Sequence, residues 1–392
     1  MRYFLFCLVF LRLYSLEVSD LTLEEKIGQL LIVKFYGNER NQESDRLIQQ
    51  AHVGGFIYYT WANELTSAAQ VKKLSGGLQA SSKIPLFLSV DQEGGRVNRL
   101  NQGFTAFPDN ATIAETKNQA LAEEVAFDIG QELRAVGINM NFSPVVDVNI
   151  NPDNPVIGRR SFSPDPKIVA AFGAKALEGY RKANVIAVLK HFPGHGDVTV
   201  DSHHGIPIVA KKIEDLRSVE WYPYFQLVKD APAIMTAHII EKAIDPSQIA
   251  TFSPAVINKL LRDEIGFKGV IITDSLAMEA VYLSSSSLQE AALKALQAGH
   301  DVLCLGGKLL VGQHEGYEVT ADDMIAMHRY LVNAVRQGKI SEARINQSVQ
   351  RVLNLKNNYL LFSKTPEVKF NLAEHQALAD KILKLTSKNN SG

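Results

Sequence analysis

The stretch KHFPGHGDVTVDSHHGIP, residues 190–207, decides how the rest of this chain is read. It holds four histidines (His191, His195, His203, His204), two aspartates (Asp197, Asp201) and one lysine, Lys190. The β-forming run VIAVL, residues 185–189, leads straight into it. Three glycines and two prolines then make a loop rather than a helix. A buried strand therefore delivers a titratable loop to one end of a sheet, where α/β proteins place their chemistry. The competing reading is a solvated loop that is merely rich in histidine. The strand that feeds it and the stiff Pro and Gly residues argue against that.

Working outward, β-rich and helical patterns alternate along the chain. Strand candidates cover residues 30–35, 53–59, 85–90, 139–148, 185–189, 233–237, 269–273 and 301–305. Helical patterns are clearest at 118–135, 166–183, 213–229, 253–263, 287–298 and 321–337. Eight strands alternating with helices, with no long linker, predict an α/β chain folded as a (β/α)8 TIM-like barrel. A doubly wound sheet is the alternative. The barrel is favoured because polar residues recur just after strands three to seven, and a barrel converges such ends on one centre. A last helical pattern, 341–360, reads as a closing helix, with Ile345, Val349, Val352 and Leu355 on one face.

The composition is globular, 46% hydrophobic and 21% charged, with a formal net charge of -1. No basic stripe argues for nucleic acid, and a neutral ligand suits this balance. Only Cys7 and Cys304 are present, so a disulfide framework and a Cys-ligated zinc site are excluded. At the N-terminus Arg2 precedes an apolar run, residues 3–11, which Arg12 interrupts. Residues 1–19 are expected to be a signal peptide, and the protein to be exported. The alternative is an N-terminal helix on the barrel floor of a cytoplasmic protein. Residues 20–365 are expected to form a single catalytic domain. Residues 366–392 form an extension whose Lys/Asn/Ser-rich end, after about Thr386, is expected to fray.

Three further strand ends carry chemistry. DQEGGRVNR, residues 91–99, follows strand three. Asp91 there can accept hydrogen bonds from sugar hydroxyls, or pair with Arg96 or Arg99 as a turn aspartate. NPDNPVIGRRSF, residues 151–162, is a stiff loop ending in a guanidinium fork, Arg159 or Arg160, suited to a carboxylate or a hydroxyl pair. A surface salt bridge is the plainer role, more so for Arg159. TDSLAM, residues 273–278, follows the apolar strand seven. Asp274 there is a candidate nucleophile for glycosyl transfer, or a helix cap.

Together DQEGGR, IGRRSF, KHFPGHG, DSH and TDSLAM resemble the single-domain bacterial β-N-acetylglucosaminidases of glycoside hydrolase family 3. The resemblance spans about residues 21–361, and KHFPGHG followed by DSH is its most specific part. It implies a retaining hydrolase on a barrel that cleaves terminal β-linked N-acetylglucosamine from peptidoglycan fragments. It implies Asp274 as nucleophile and His203 as general acid/base held by Asp201. It implies Asp91, Arg99, Arg160, Lys190 and His191 as sugar-binding positions. Some relatives carry two consecutive acids at the nucleophile strand, whereas here Ser275 follows Asp274. Many members have a second domain that supplies the acid/base; this length leaves no room for one, as in the group that uses the loop histidine.

The physics of these residue types is compatible with those roles. Retaining hydrolysis needs a nucleophile and a proton donor on opposite sides of the scissile bond. An imidazole titrates near neutrality and serves as acid, then as base. Asp201 lies two residues before His203, so in a bent loop its carboxylate reaches the ring and raises its basicity. His195, between two glycines, is expected to fix the loop, and His204 to be exposed. No metal or other cofactor is expected, because the His and Asp spacings match no compact metal signature. The rival readings are a metal hydrolase, a non-catalytic sugar-binding protein, and a β-glucosidase or β-xylosidase of the same family. The expected partner is a carbohydrate, bound by a monomer with no membrane span once the leader is removed.

Overall fold

The computed structural model describes residues 15–306, 316–361 and 369–389. Eight strands form its centre: β1 Leu31–Val33, β2 Gly55–Ile57, β3 Phe87–Val90, β4 Met140–Asn141, β5 Ile186–Phe192, β6 Ala233–Thr236, β7 Val270–Thr273 and β8 Leu303–Leu305. All eight lie within or against the stretches expected from the sequence. They pair in parallel in the order β7-β6-β5-β4-β3-β2-β1-β8. The sheet then closes on itself. Ile272 of β7 bridges Val302 beside β8, and the Thr273 amide donates to the Val302 carbonyl at 3.0 Å. The fold is a (β/α)8 barrel.

The strands LIV, FLSV, AIMT and VIIT are buried along their whole length. Both faces of a barrel strand are covered, one by the interior and one by the helical ring. Continuous apolar runs therefore replace the alternation of a half-exposed sheet. The helices Ala120–Ala135 and Pro166–Lys182 pack on each other outside β4 and β5. The second begins with Asp165 accepting from the Lys167 amide at 2.8 Å and with Pro166 in its first turn.

The helix expected over 213–229 is instead two short ones, Ile213–Ser218 and Tyr222–Leu227. The Trp221 amide turns back to the Leu216 carbonyl at 2.8 Å. Pro223, which has no amide hydrogen, then starts a new first turn.

The closing helix Glu342–Lys356 fixes the bottom of the barrel, the end where the strands begin. Its Ser348 hydroxyl and Arg351 reach the same oxygen of Asp301, at 2.6 and 3.0 Å. Arg262 and the Ile271 amide take the other oxygen. Beyond it, the helix Leu372–Asn389 buries Ala379 and Ile382. His375 of that helix meets Glu132 at 2.8 Å.

Residues 1–14, which contain most of the expected leader and Cys7, lie outside the described residues, as do residues 390–392 at the end expected to fray. The Leu16 amide donates to Asn357 Oδ1 at 3.2 Å, so residues just past that segment are tied to the closing helix. Among the described residues, no helix is long and apolar enough to cross a membrane.

Candidate active site

At the top of the barrel, where the strands end, a cavity of about 350 Å³ opens. Its wall includes Asp91, Arg99, Arg160, Lys190, His191, His203 and Asp274. Of the eight candidate residues, seven thus come from four different strand-end segments to one space. The eighth, Asp201, stands behind His203.

The floor is a charged network. Lys190, on β5 and 2% exposed, places Nζ 2.7 Å from Asp91 and 2.6 Å from Glu93. Arg160 grips Glu93 with both arms, Nε to Oε2 at 2.9 Å and Nη2 to Oε1 at 2.8 Å. Burial alone would raise the Glu93 carboxyl, but the two cations hold it far below the usual carboxylate range. Burial likewise opposes the charge on Lys190, and Asp91 with Glu93 more than restores it. Asp91 therefore pairs with Lys190 across the barrel, not with the neighbouring Arg96 or Arg99.

Arg159 points elsewhere, to Asp109 at 2.9 Å and Glu115 at 3.0 Å on the surface. Of the two adjacent arginines, Arg160 alone joins the cavity wall. Arg99 Nε is buried and has no hydrogen-bond partner among the described residues.

The loop after β5 is drawn in tightly. Asp147, fully buried, accepts from His191 Nδ1 at 2.7 Å and from the His195 amide at 2.6 Å. With Nδ1 donating, His191 Nε2 is free to accept, and Arg160 Nη2 lies 3.4 Å from it. Gly196 is required here: a Cβ would fall 1.8 Å from the Val148 carbonyl oxygen. His195 is fixed through its backbone. Its buried ring has both nitrogens unpartnered among the described residues, and burial brings its pKa down to about 4. His204 is exposed.

Farther along, the chain turns at 201–205, with the His204 amide on the Asp201 carbonyl at 2.9 Å. That turn brings Asp201 Oδ1 to 2.7 Å from His203 Nδ1 and 2.9 Å from the His203 amide. Burial opposes a charge on the His203 ring, but the Asp201 hydrogen bond and charge win and raise its pKa. Asp201 is correspondingly low, down to about 2, since His203 outweighs its burial. The His203 side chain stays 51% exposed, at the mouth of the cavity.

Asp274 follows β7, its amide donating to the Thr236 carbonyl at 3.0 Å. Its Oδ1 accepts from the Ser275 amide at 2.7 Å. Burial would raise its pKa, but His238, His191 and that amide lower it, so the carboxylate is ionised. It does not cap the following helix, Glu279–Tyr282, whose cap position is Met278.

Residues 22–355 match the model of the glycosyl hydrolase family 3 N-terminal domain. The chain belongs to glycoside hydrolase family 3. It is 33% identical over 378 residues to beta-hexosaminidase A of Pseudoalteromonas piscicida, covering 86% of this chain and 61% of that one. It is 34% identical over 342 residues to beta-hexosaminidase LpqI of Mycobacterium tuberculosis, covering 85% of this chain and 82% of that one. The solved structure of a family 3 β-N-acetylglucosaminidase from a Paenibacillus strain superposes with a TM-score of 0.85 at 39% identity. That match covers 93% of this chain and 69% of the other. The chain thus spans about three fifths of the length of the Pseudoalteromonas relative.

Within this family 3 barrel, Glu93 and Asp147 organise the site, and the sequence reading passed over both. Each had a signal. Glu93 lies inside DQEGGR, and Asp147 interrupts the apolar run VVDV, where a lone carboxylate needs a buried partner. His238 is a third. Its Nε2 lies 2.9 Å from the Ser275 carbonyl and its Nδ1 2.7 Å from Thr251, which braces the Asp274 turn from below.

Proposed function

We propose that this protein is a retaining β-N-acetylhexosaminidase that removes terminal N-acetylglucosamine, with Asp274 as nucleophile and the Asp201–His203 pair as acid/base. The observation that carries the reading is the joint placement of Asp274 and His203 on one cavity wall. The first is ionised by its surroundings and the second is made more basic by Asp201. Relatives called beta-hexosaminidases supply the substrate class.

In the first step an Asp274 oxygen attacks the anomeric carbon while His203 gives its proton to the leaving oxygen. Asp201 stabilises the imidazolium through Nδ1–H and keeps Nε2 directed at the substrate. In the second step the neutral imidazole takes a proton from water, which breaks the glycosyl ester on Asp274. Asp91, Arg99, Arg160, Lys190 and His191 hold the ring hydroxyls. Asp91 and Lys190 do so while paired with each other. The barrel over residues 20–365 supplies both reacting groups. Peptidoglycan fragments are the proposed substrate, and export by the apolar N-terminal segment the proposed route to them.

Paired chromogenic substrates test this. 4-Nitrophenyl β-N-acetylglucosaminide is expected to be cleaved, the β-glucoside not, and EDTA to change neither result. Cleavage of the glucoside alone would move the activity to the β-glucosidase reading. Loss of activity in EDTA would overturn the roles given to the loop histidines.

A further inference from the structure

We infer that His375, on the helix Leu372–Asn389, positions the Glu93–Arg160 pair of the charged floor through Glu132 and the segment 105–110, and so sets how tightly the sugar is held. The inference rests on the proposed hexosaminidase activity, which makes that floor a sugar site. The helix lies past residue 355, where the match to the family domain ends. It packs on the helices Asn110–Glu115 and Ala120–Ala135. Its Leu372, Leu383 and Leu385 stay exposed, so apolar burial is only part of what holds it.

The polar part is a clasp. His375 is buried, with Nδ1 2.8 Å from Glu132 Oε1 and Nε2 3.5 Å from Asp128 Oδ1. Its ring packs on Phe370, at 5.6 Å, and on Phe107, at 6.4 Å. Burial opposes a charge on the imidazole, but the Glu132 bond and the Asp128 charge outweigh it and raise the pKa. A buried ion pair adds little to the strength of docking, because desolvation offsets its attraction. What it adds is a fixed register between the helix and its support.

That register reaches the cavity floor. Glu132 also accepts from the Thr105 hydroxyl at 2.6 Å and from the Thr105 amide at 3.1 Å. Two residues on, the Phe107 carbonyl accepts from the Gly95 amide at 2.9 Å. The approach there is close: a Cβ on Gly94, the residue after Glu93, would fall 2.7 Å from the Pro108 carbonyl oxygen. Asn110 Nδ2 donates to the Arg160 carbonyl at 2.8 Å. Segment 105–110 therefore holds the backbone beside both members of the Glu93–Arg160 pair, with His375 behind it. The reacting groups hang elsewhere, Asp274 on the Thr236 carbonyl and His203 on Asp201. A shift of this segment thus changes sugar binding rather than the chemical steps.

The test is steady-state kinetics on 4-nitrophenyl β-N-acetylglucosaminide. His375→Ala is expected to raise KM about fivefold with kcat kept, the worth of one hydrogen bond. His375→Gln, whose amide can donate to Glu132, is expected to recover most of that. Thr105→Val cuts the link beyond Glu132 while leaving the helix clasped, and is expected to raise KM about threefold. Partial unfolding would lower the active fraction, and with it kcat, without moving KM. A wild-type KM in Thr105→Val overturns the inference, whether or not His375→Ala folds. So does a wild-type KM in a folded His375→Ala, or a loss confined to kcat in either variant, and each of these leaves the hexosaminidase reading standing. A wild type that cleaves no N-acetylglucosaminide overturns that reading, and the inference falls with it.

Discussion

Two buried carboxylates, Glu93 and Asp301, sit at opposite ends of one barrel, each held by arginine or lysine. At the bottom, Asp301 takes Arg262 and the Ile271 amide on one oxygen, Ser348 and Arg351 on the other. The cations it uses belong to the fold: Arg262 also donates to the carbonyls of Phe267 and Gly269, at 3.1 and 2.6 Å. At the top, the cations that hold Glu93 are Arg160 and Lys190, and both face the cavity. The same pairing chemistry locks a helix at one end and presents donors to a ligand at the other. A barrel separates stability from chemistry in this way, with the strand starts serving one and the strand ends the other.

The largest losses are expected from changes at the top of the barrel. Asp274→Ala is expected to lower turnover on the order of 10⁴-fold or more, because no second group replaces the nucleophile. Its denaturation midpoint is expected to stay near that of the wild type, and chemical denaturation alongside steady-state kinetics checks both halves. His203→Ala comes next, losing about 10²- to 10⁴-fold on leaving groups that need a proton. A 2,4-dinitrophenyl leaving group needs little protonation, so the loss in the first step is expected to shrink sharply there. Equal losses on both substrates would remove the acid role.

The bottom is expected to answer in the other currency. Asp301→Ala strands Arg262 and Arg351 without their carboxylate and is expected to cost about 3–5 kcal/mol of stability. Urea unfolding measures this, and activity per folded molecule is expected to be kept. A variant that folds normally but is inactive would blur the division between the two ends.

The smallest effect expected is a displacement. Asp201 raises the His203 pKa against the opposing effect of burial, and His203 must be protonated in the first step. Removing Asp201 lowers that pKa, so the basic limb of kcat/KM for Asp201→Ala is expected to move to lower pH. A basic limb that stays in place would separate Asp201 from the acid/base function.

Much of this architecture was legible in the residues. Strands β1, β3, β6 and β7 announced themselves as largely apolar runs because both of their faces are buried. The motifs DQEGGR, IGRRSF, KHFPGHG and TDSLAM marked four strand ends. Glu93 and Asp147 were hidden for a physical reason. β4 is only Met140–Asn141, so Asp147 lies past the strand end, inside what reads as one long strand. Its partners, His191 and His195, are 44 and 48 residues away. Nothing local in VVDV names them. The broken helix at 213–229 failed differently. Periodicity continues through Pro223 while the backbone hydrogen bonding does not.

Trapping the glycosyl-enzyme with a 5-fluoro analogue of β-N-acetylglucosaminyl fluoride, and mapping the labelled peptide by mass spectrometry, tests Asp274 as the nucleophile. One added sugar is expected, on the peptide that carries Asp274, with β-configured product from the unmodified substrate. A label on any other residue, or an α-configured first product, would contradict it.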